Sequence, residues 1–163
     1  MMGSGKTTIG TLLSEKLNLE FIDMDEHISL RLNMNIYKIF IEKGESFFRD
    51  QEVRLLDKLS RSHGKVISTG GGVILSDSNR SLLKNTGFNI FLYANIDTIL
   101  KRLDFDYNNR PLLYDHKNLN ICKIWDERKK YYYRCADLII NSSMDNPEII
   151  TEKIKKNFSF LCE

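Results

Sequence analysis

The residues with the most chemical content stand at the start of the chain. Gly3-Ser4-Gly5-Lys6-Thr7-Thr8 matches the end of G-x-x-x-x-G-K-[ST], a loop that follows a strand and opens a helix. Its glycines let backbone N–H groups approach phosphate oxygens, and the helix starting near Lys6 points its N-terminus at them. Gly3, Ser4, Gly5, Lys6, Thr7 and Thr8 are therefore the candidate nucleotide-phosphate residues. Lys6 suits the β and γ oxygens, and the Thr7 hydroxyl suits Mg2+. The plain alternative is a glycine-rich tail ahead of an amphipathic helix. The first glycine of the motif would fall one position before Met1.

Three further groups could do chemistry. Asp23 and Asp25 are carboxylates spaced i, i+2 at the end of a predicted strand. One could hold a magnesium-bound water while the other orients an acceptor hydroxyl, or either could simply cap the next helix. Arg49 and Glu52 lie three apart on one helical face. There a guanidinium fork could bind a carboxylate while a glutamate holds the fork, or the two form an ordinary surface ion pair. Gly70-Gly71-Gly72 follows another strand. Three glycines there cost backbone entropy with no packing return, so close approach of a ligand to backbone explains them better than a tight turn.

The elements that must position these groups alternate in type. Ile9, Leu12, Leu13 and Leu17 fall at helical spacing, and residues 19–22 read as a strand ending at Asp23. The apolar pattern then predicts two helices separated at Gly44, a strand over 66–69, a helix over 77–86 and a strand over 88–93. Helices over 96–103 and 119–134 flank a polar stretch at 104–118. A strand over 137–140 precedes a helix capped by Asn146 with Pro147 in its first turn. Alternating strands and helices imply one α/β domain over 1–163, a central parallel sheet covered on both faces as a three-layer sandwich. Ligands of such sheets gather beyond the carboxyl ends of the strands. A loop of about 15 residues such as 104–118 reads as a lid or binding loop.

Composition narrows the partners. The chain has 163 residues, 42% hydrophobic and 28% charged, and a formal net charge of +2. That is enough for one domain burying about two-thirds of its unfolded surface, and it argues against nucleic acid as main partner. Lys129 to Arg134, where cations adjoin tyrosines, is the one run that could stack bases. Cys122, Cys135 and Cys162 lack metal-type spacing and read as reduced thiols of a cytoplasmic protein. With no apolar run approaching 18 residues, no membrane partner is expected. His27, His63 and His116 show no partner pattern, and Trp125 reads as packing behind Arg128.

Taken together, these pieces resemble the shikimate kinase family. The resemblance runs through G-S-G-K-T-T, D-M-D at 23–25, G-E-x-x-F-R-x-x-E at 44–52, S-T-G-G-G at 68–72, R-P-L-L at 110–113 and E-R-x-x-Y-Y ahead of Ala136-Asp137. It implies a P-loop NTPase fold of the nucleoside-monophosphate-kinase type, with a substrate-binding region at about 25–62 and a lid at about 104–118. It also implies ATP-dependent phosphorylation of the 3-hydroxyl of shikimate, with Mg2+, by a monomer. By the same likeness Asp25 binds the shikimate hydroxyls and orients the nucleophile, and Asp23 joins Thr7 in the magnesium shell. Arg49 and Arg128 clamp the substrate carboxylate with Glu52 steering an arginine, and Gly70, Gly71 and Gly72 give backbone donors. Arg110 closes on the transferring phosphate, making it catalytic with Lys6 and Asp25, while Arg102 and Pro147 border the adenine. Without the likeness, Arg102, Arg110 and Arg128 would read as solvated charges.

Two alternatives stay open at this point: another small P-loop kinase, acting on gluconate or a nucleotide, and a weakly active or non-catalytic relative. The phosphate loop normally follows a strand inside the sheet. The natural chain is therefore expected to start about ten residues upstream, with an apolar strand ending in glycine.

Overall fold

The structure, a computed structural model, describes residues 1–103 and 117–159. Helix α1 (Lys6–Leu17) ends at Asn18, whose left-handed backbone at φ 53° lets its N–H reach the carbonyls of Ser14 and Glu15. Strand β1 (Glu20–Asp23) runs directly into α2 (Met24–Leu32), because the Asp23 side chain accepts from the N–H groups of Asp25 and Glu26. α3 (Ile36–Ser60) is broken at Gly44, where φ 83° and ψ 163° leave the helical region, so the two helices expected on either side of it are both present. Only glycine takes that backbone easily.

β2 (Lys65–Ser68) leads through a short 3-10 turn at Val73–Leu75 into α4 (Asp77–Thr86), followed by β3 (Ile90–Tyr93) and α5 (Ile96–Leu103). α6 (Lys117–Cys135), β4 (Leu138–Asn141) and α7 (Pro147–Ser159) complete the order. Residues 117 and 118, read from sequence as the end of the long loop, thus belong to a helix. The rest of that loop, with Arg110 and His116, lies outside the described residues, as does Cys162. α7 begins as expected, with the Ile149 N–H donating to Asn146 Oδ1 at 2.9 Å. No helix among the described residues is long and apolar enough to cross a membrane.

Alternation along the strands produces three layers. Val66, Ile90, Leu92, Leu138 and Ile140 pack with Ile9 and Leu13 of α1 and with Ile150 and Ile154 of α7. Ile22, Ile67, Phe91 and Tyr93 turn the other way, onto Met24 and Ile28 of α2, Ile39, Phe48 and Leu55 of α3, and Ile121 of α6. Each such side chain stabilises the fold by about 1.5–3 kcal/mol when fully buried, and a one-residue slip would invert every strand.

The strands pair in parallel as two two-stranded sheets, β1 with β2 and β3 with β4. β2 and β3 both line a cleft of about 570 Å³ in the middle of the molecule. Its other walls include Leu13 and Leu17 of α1, Leu56 and Leu59 of α3, and Ile154 of α7, with Met1 and Gly71 also lining it. Two hydrogen bonds draw both sheets to the first loop. Thr7 Oγ1 donates to Asp23 Oδ2 at the end of β1, and Ser142 Oγ, just past β4, donates to the Ser4 carbonyl.

Candidate active site

The loop ahead of α1 is held by its own backbone. Gly3 and Gly5 take left-handed φ values of 67° and 86°, and the buried Ser4 donates to the Met1 carbonyl at 2.8 Å. Lys6 Nζ folds back to the same carbonyl at 3.0 Å, which brings its ammonium onto the loop. α1 starts with no side-chain cap. A helix N-terminus with its first N–H groups uncapped and a lysine above it is a site for anions. Thr7 and Thr8 are exposed on its first turn.

Thr7 Oγ1 donates to Asp23 Oδ2 at 2.8 Å, so the two residues expected in the magnesium shell are neighbours. Their donors are all oxygen, which fits Mg2+, an ion usually held by one or two protein groups plus phosphates and water. Asp23 also performs the plainer duty weighed for it, capping α2 through its other oxygen.

The adenine-side residues are only partly brought together. Arg102 bridges the first loop and the residue after β4, donating from Nη1 to the Gly3 carbonyl at 3.2 Å and from Nη2 to the Ser142 carbonyl at 2.6 Å. Pro147 opens α7 beyond that loop and is exposed. Arg110 lies outside the described residues.

The substrate-side residues converge on the three glycines, and each glycine is needed for a different reason. A Cβ at Gly70 would stand 2.5 Å from Glu52 Oε1 and 2.7 Å from Asp25 Oδ1, and one at Gly72 would overlap the Arg49 guanidinium. At either place an added Cβ would force those side-chain ends to shift. Gly71 is roomier, with Met2 N at 3.5 Å and the Tyr132 hydroxyl at 3.6 Å from the same hypothetical position. The sequence reading gave the glycines a role toward ligand alone. The structure adds that Gly70 and Gly72 make room for the carboxylates and guanidinium that α2 and α3 deliver. Through Met2 and Gly71 the substrate side touches the phosphate loop.

Arg49 is fixed rather than free. Its Nη1 donates to Glu52 Oε2 at 2.5 Å, while Nε and Nη2 donate to Glu45 Oε1 at 3.0 and 2.7 Å. Its guanidinium lies 5.4 Å from the Phe48 ring centre and 5.8 Å from that of Phe40. Burial alone would lower its pKa, but the Glu52 and Glu45 carboxylates outweigh that and raise it. Glu52 is 1% exposed. Burial pushes its carboxyl above the ordinary value, Arg49 pulls it back, and the nearby Asp25 charge adds to the rise. Glu52 Oε1 and Arg128 Nε are both buried and without a hydrogen-bond partner among the described residues. Leaving such an atom without a partner costs about 1–3 kcal/mol, more when charged, so a polar partner at either would be favourable.

Arg128 on α6 is 5% exposed and donates from Nη1 to the Gly71 carbonyl at 3.3 Å. One helical turn on, the Tyr132 hydroxyl donates to that carbonyl at 2.5 Å. Trp125, read from sequence as a packing residue, packs against the larger core and stacks in an aromatic wall with Tyr132 and Phe91. Sequence reasoning gave Tyr132 no role at the site, although its i+4 spacing from Arg128 places both on one helical face. It gave none to Glu45, quoted only within a motif, and did not notice Ser142. Glu45 shares the i, i+4 signal with Arg49, whereas nothing local marks Ser142.

A glycine-rich loop at a helix N-terminus, a Thr–Asp hydrogen bond beside it, and an adjoining cluster of two arginines and two carboxylates define a P-loop kinase acting on a small anionic acceptor. Similarity to known proteins specifies which kind. The family profile described as shikimate kinase matches residues 2–159. A shikimate kinase of Caldicellulosiruptor bescii is 45% identical over 94% of this chain and 88% of its own length. The bifunctional shikimate kinase/3-dehydroquinate synthase of Thermotoga maritima is 41% identical over 93% of this chain, which spans 32% of that longer protein. Among solved structures, shikimate kinase from Acinetobacter baumannii in complex with shikimate superposes with a TM-score of 0.92 at 33% identity, covering 96% of this chain and 88% of that one. The chain belongs to the shikimate kinase family.

Proposed function

We propose that this protein transfers the γ-phosphoryl group of ATP to the 3-hydroxyl of shikimate, a step toward chorismate and the aromatic amino acids. The observation that carries the reading is the convergence of Asp25, Arg49 and Arg128 on the glycine turn beside the phosphate loop. Shikimate has one carboxylate and three hydroxyls on a small ring. Two arginines suit its anionic end, and an aspartate with backbone amides suits its hydroxyl edge.

Phosphoryl transfer is mostly positioning and charge neutralisation. The acceptor oxygen forms a bond to the γ-phosphorus as the bond to the β-bridging oxygen breaks and ADP leaves. Asp25 orients the acceptor hydroxyl and takes its proton. Lys6, resting on the Met1 carbonyl, turns onto the β and γ oxygens when nucleotide enters. Thr7 and Asp23 would hold Mg2+, which would supply neutralisation of phosphate charge when bound. By the family likeness Arg110, which lies outside the described residues, is assigned to the transferring phosphate. We place the enzyme in the cytoplasm as a monomer on the sequence features given above.

The test is ADP release measured with shikimate, gluconate and AMP as acceptors. Shikimate-dependent release with the other two inactive is the expected result. Turnover of gluconate or AMP instead would overturn the assignment of substrate. Gluconate is a weaker fit because a flexible open chain gains less from a fixed pair of arginines on one face of a small pocket.

A further inference from the structure

The three glycine carbonyls of the turn are satisfied in two different ways. Gly70 and Gly72 accept within the turn itself, from the N–H of Val73 at 3.2 Å and of Leu75 at 2.9 Å. The Gly71 carbonyl faces α6, where it receives the Tyr132 hydroxyl at 2.5 Å and Arg128 Nη1 at 3.3 Å. Tyr132 is 7% exposed. Its ring lies 4.9 Å from that of Phe91 at an 8° interplanar angle and 6.4 Å from that of Trp125 at 18°. A ring so enclosed has little choice of rotamer, so its hydroxyl is delivered to one point.

We propose that Tyr132 is a positioning residue for the acceptor substrate, gripping the Gly71 carbonyl so that the Gly71–Gly72 peptide keeps its aim when Arg128 turns to the substrate carboxylate. The inference rests on the reading of the site as a shikimate pocket. Its logic is a division of labour between the two donors. Arg128 is charged, and its buried Nε has no partner, so an arriving carboxylate draws its guanidinium away from a neutral carbonyl. Tyr132 carries no charge to be drawn. Burial pushes its phenol above the ordinary value, with Arg128 and Arg49 pulling back, so it remains a protonated donor at neutral pH.

The grip matters because of peptide geometry. The peptide unit is planar and trans, so fixing the Gly71 carbonyl toward α6 sends the Gly72 N–H to the opposite side. Glycine backbones supply little restraint of their own. With Arg128 engaged elsewhere and no Tyr132 hydroxyl, the plane could rotate, and the turn would meet the substrate with a donor out of place.

Tyr132→Phe tests this, since it keeps the aromatic stack and removes one oxygen. Steady-state kinetics are run with shikimate varied at saturating ATP and with ATP varied at saturating shikimate. Thermal unfolding and shikimate calorimetry without nucleotide accompany them. The expected result is a KM for shikimate raised about tenfold, the scale of one lost hydrogen bond. With it go a matching loss of calorimetric affinity, kcat and the ATP KM within about threefold of wild type, and a nearly unchanged melting temperature. An unaltered shikimate KM overturns the proposal. So does a loss spread evenly over kcat and both KM values with a fall in melting temperature, which is the mark of a hydroxyl that only holds the fold. If the wild-type protein itself does not turn over shikimate, the functional reading fails. Wild-type turnover with an indifferent Tyr132→Phe sinks the role of Tyr132 alone.

Discussion

Asp25 and Glu52 each direct one carboxylate oxygen at the same face of Gly70, 2.7 and 2.5 Å from where a side chain there would begin. Those two distances put the oxygens no more than 5.2 Å apart. Two acids from different helices, β1–α2 and α3, thus share the space that one glycine leaves open, with Arg49 bonded to Glu52 beside them.

Gly70→Ala should therefore be far more damaging than Gly71→Ala. The first requires two carboxylates to give way, one of them on the buried, Arg49-bonded Glu52, whereas the second meets only ordinary contacts. Gly70→Ala should lower kcat/KM for shikimate by at least about 100-fold, or ~2.7 kcal/mol, and leave the ATP KM near wild type. Kinetics on both variants check it, and a Gly71→Ala loss exceeding that of Gly70→Ala would refute the steric account.

Asp25→Asn keeps the shape of the side chain and removes its ability to take a proton. Turnover should be abolished while ATP affinity stays nearly constant, because the phosphate loop is built from separate residues. A variant keeping more than about a tenth of wild-type kcat, a loss under ~1.4 kcal/mol, would remove Asp25 from the centre of the chemistry.

Glu52 gives a pH signature. Its carboxyl is raised above 4.5, chiefly by burial, so the folded state holds this proton more tightly than the unfolded state does. The stability it contributes is complete below the ordinary value and is lost as pH rises through the folded value. Glu52→Gln has no such proton. The melting-temperature advantage of wild type over Glu52→Gln should grow as pH falls from about 7 toward 4.5; a flat difference, or one of opposite slope, would contradict it.

The cleft between β2 and β3 predicts a stabilising addition. It is lined by Val66, Ile67, Ile90, Phe91 and Leu92 and ends at Met1, which is itself buried. About five strand-forming apolar residues placed ahead of Met1 would find two strand edges and an apolar lining, each buried side chain contributing about 1.5–3 kcal/mol. Differential scanning calorimetry should record a melting temperature several degrees higher than that of the 163-residue chain. An unchanged or lower value would mean that the cleft does not accept a strand.

Much of this was legible in the residues because local rules and tertiary context agree. The α4 boundaries at Asp77 and Thr86, the break at Gly44 and the Asn146 cap follow from backbone preferences that neighbours need not supply. Asp25 and Arg49 stood out by their spacing from Asp23 and Glu52, but Arg128 came from a family likeness alone, since a charged residue on a helix is ordinarily solvated. That Gly70 and Gly72 shelter side chains, and that Tyr132 answers a carbonyl 61 positions away, could not be read locally. Those facts depend on which helices meet, and no periodicity encodes that.

Trp125 is the only tryptophan in the chain, and it sits in the ring stack that touches the Gly71 turn through Tyr132. The protein thus carries a single built-in optical reporter at the edge of its acceptor pocket. Emission from that one indole can follow ligand occupancy without a label, and the signal needs no correction for a second fluorophore of the same kind elsewhere in the fold.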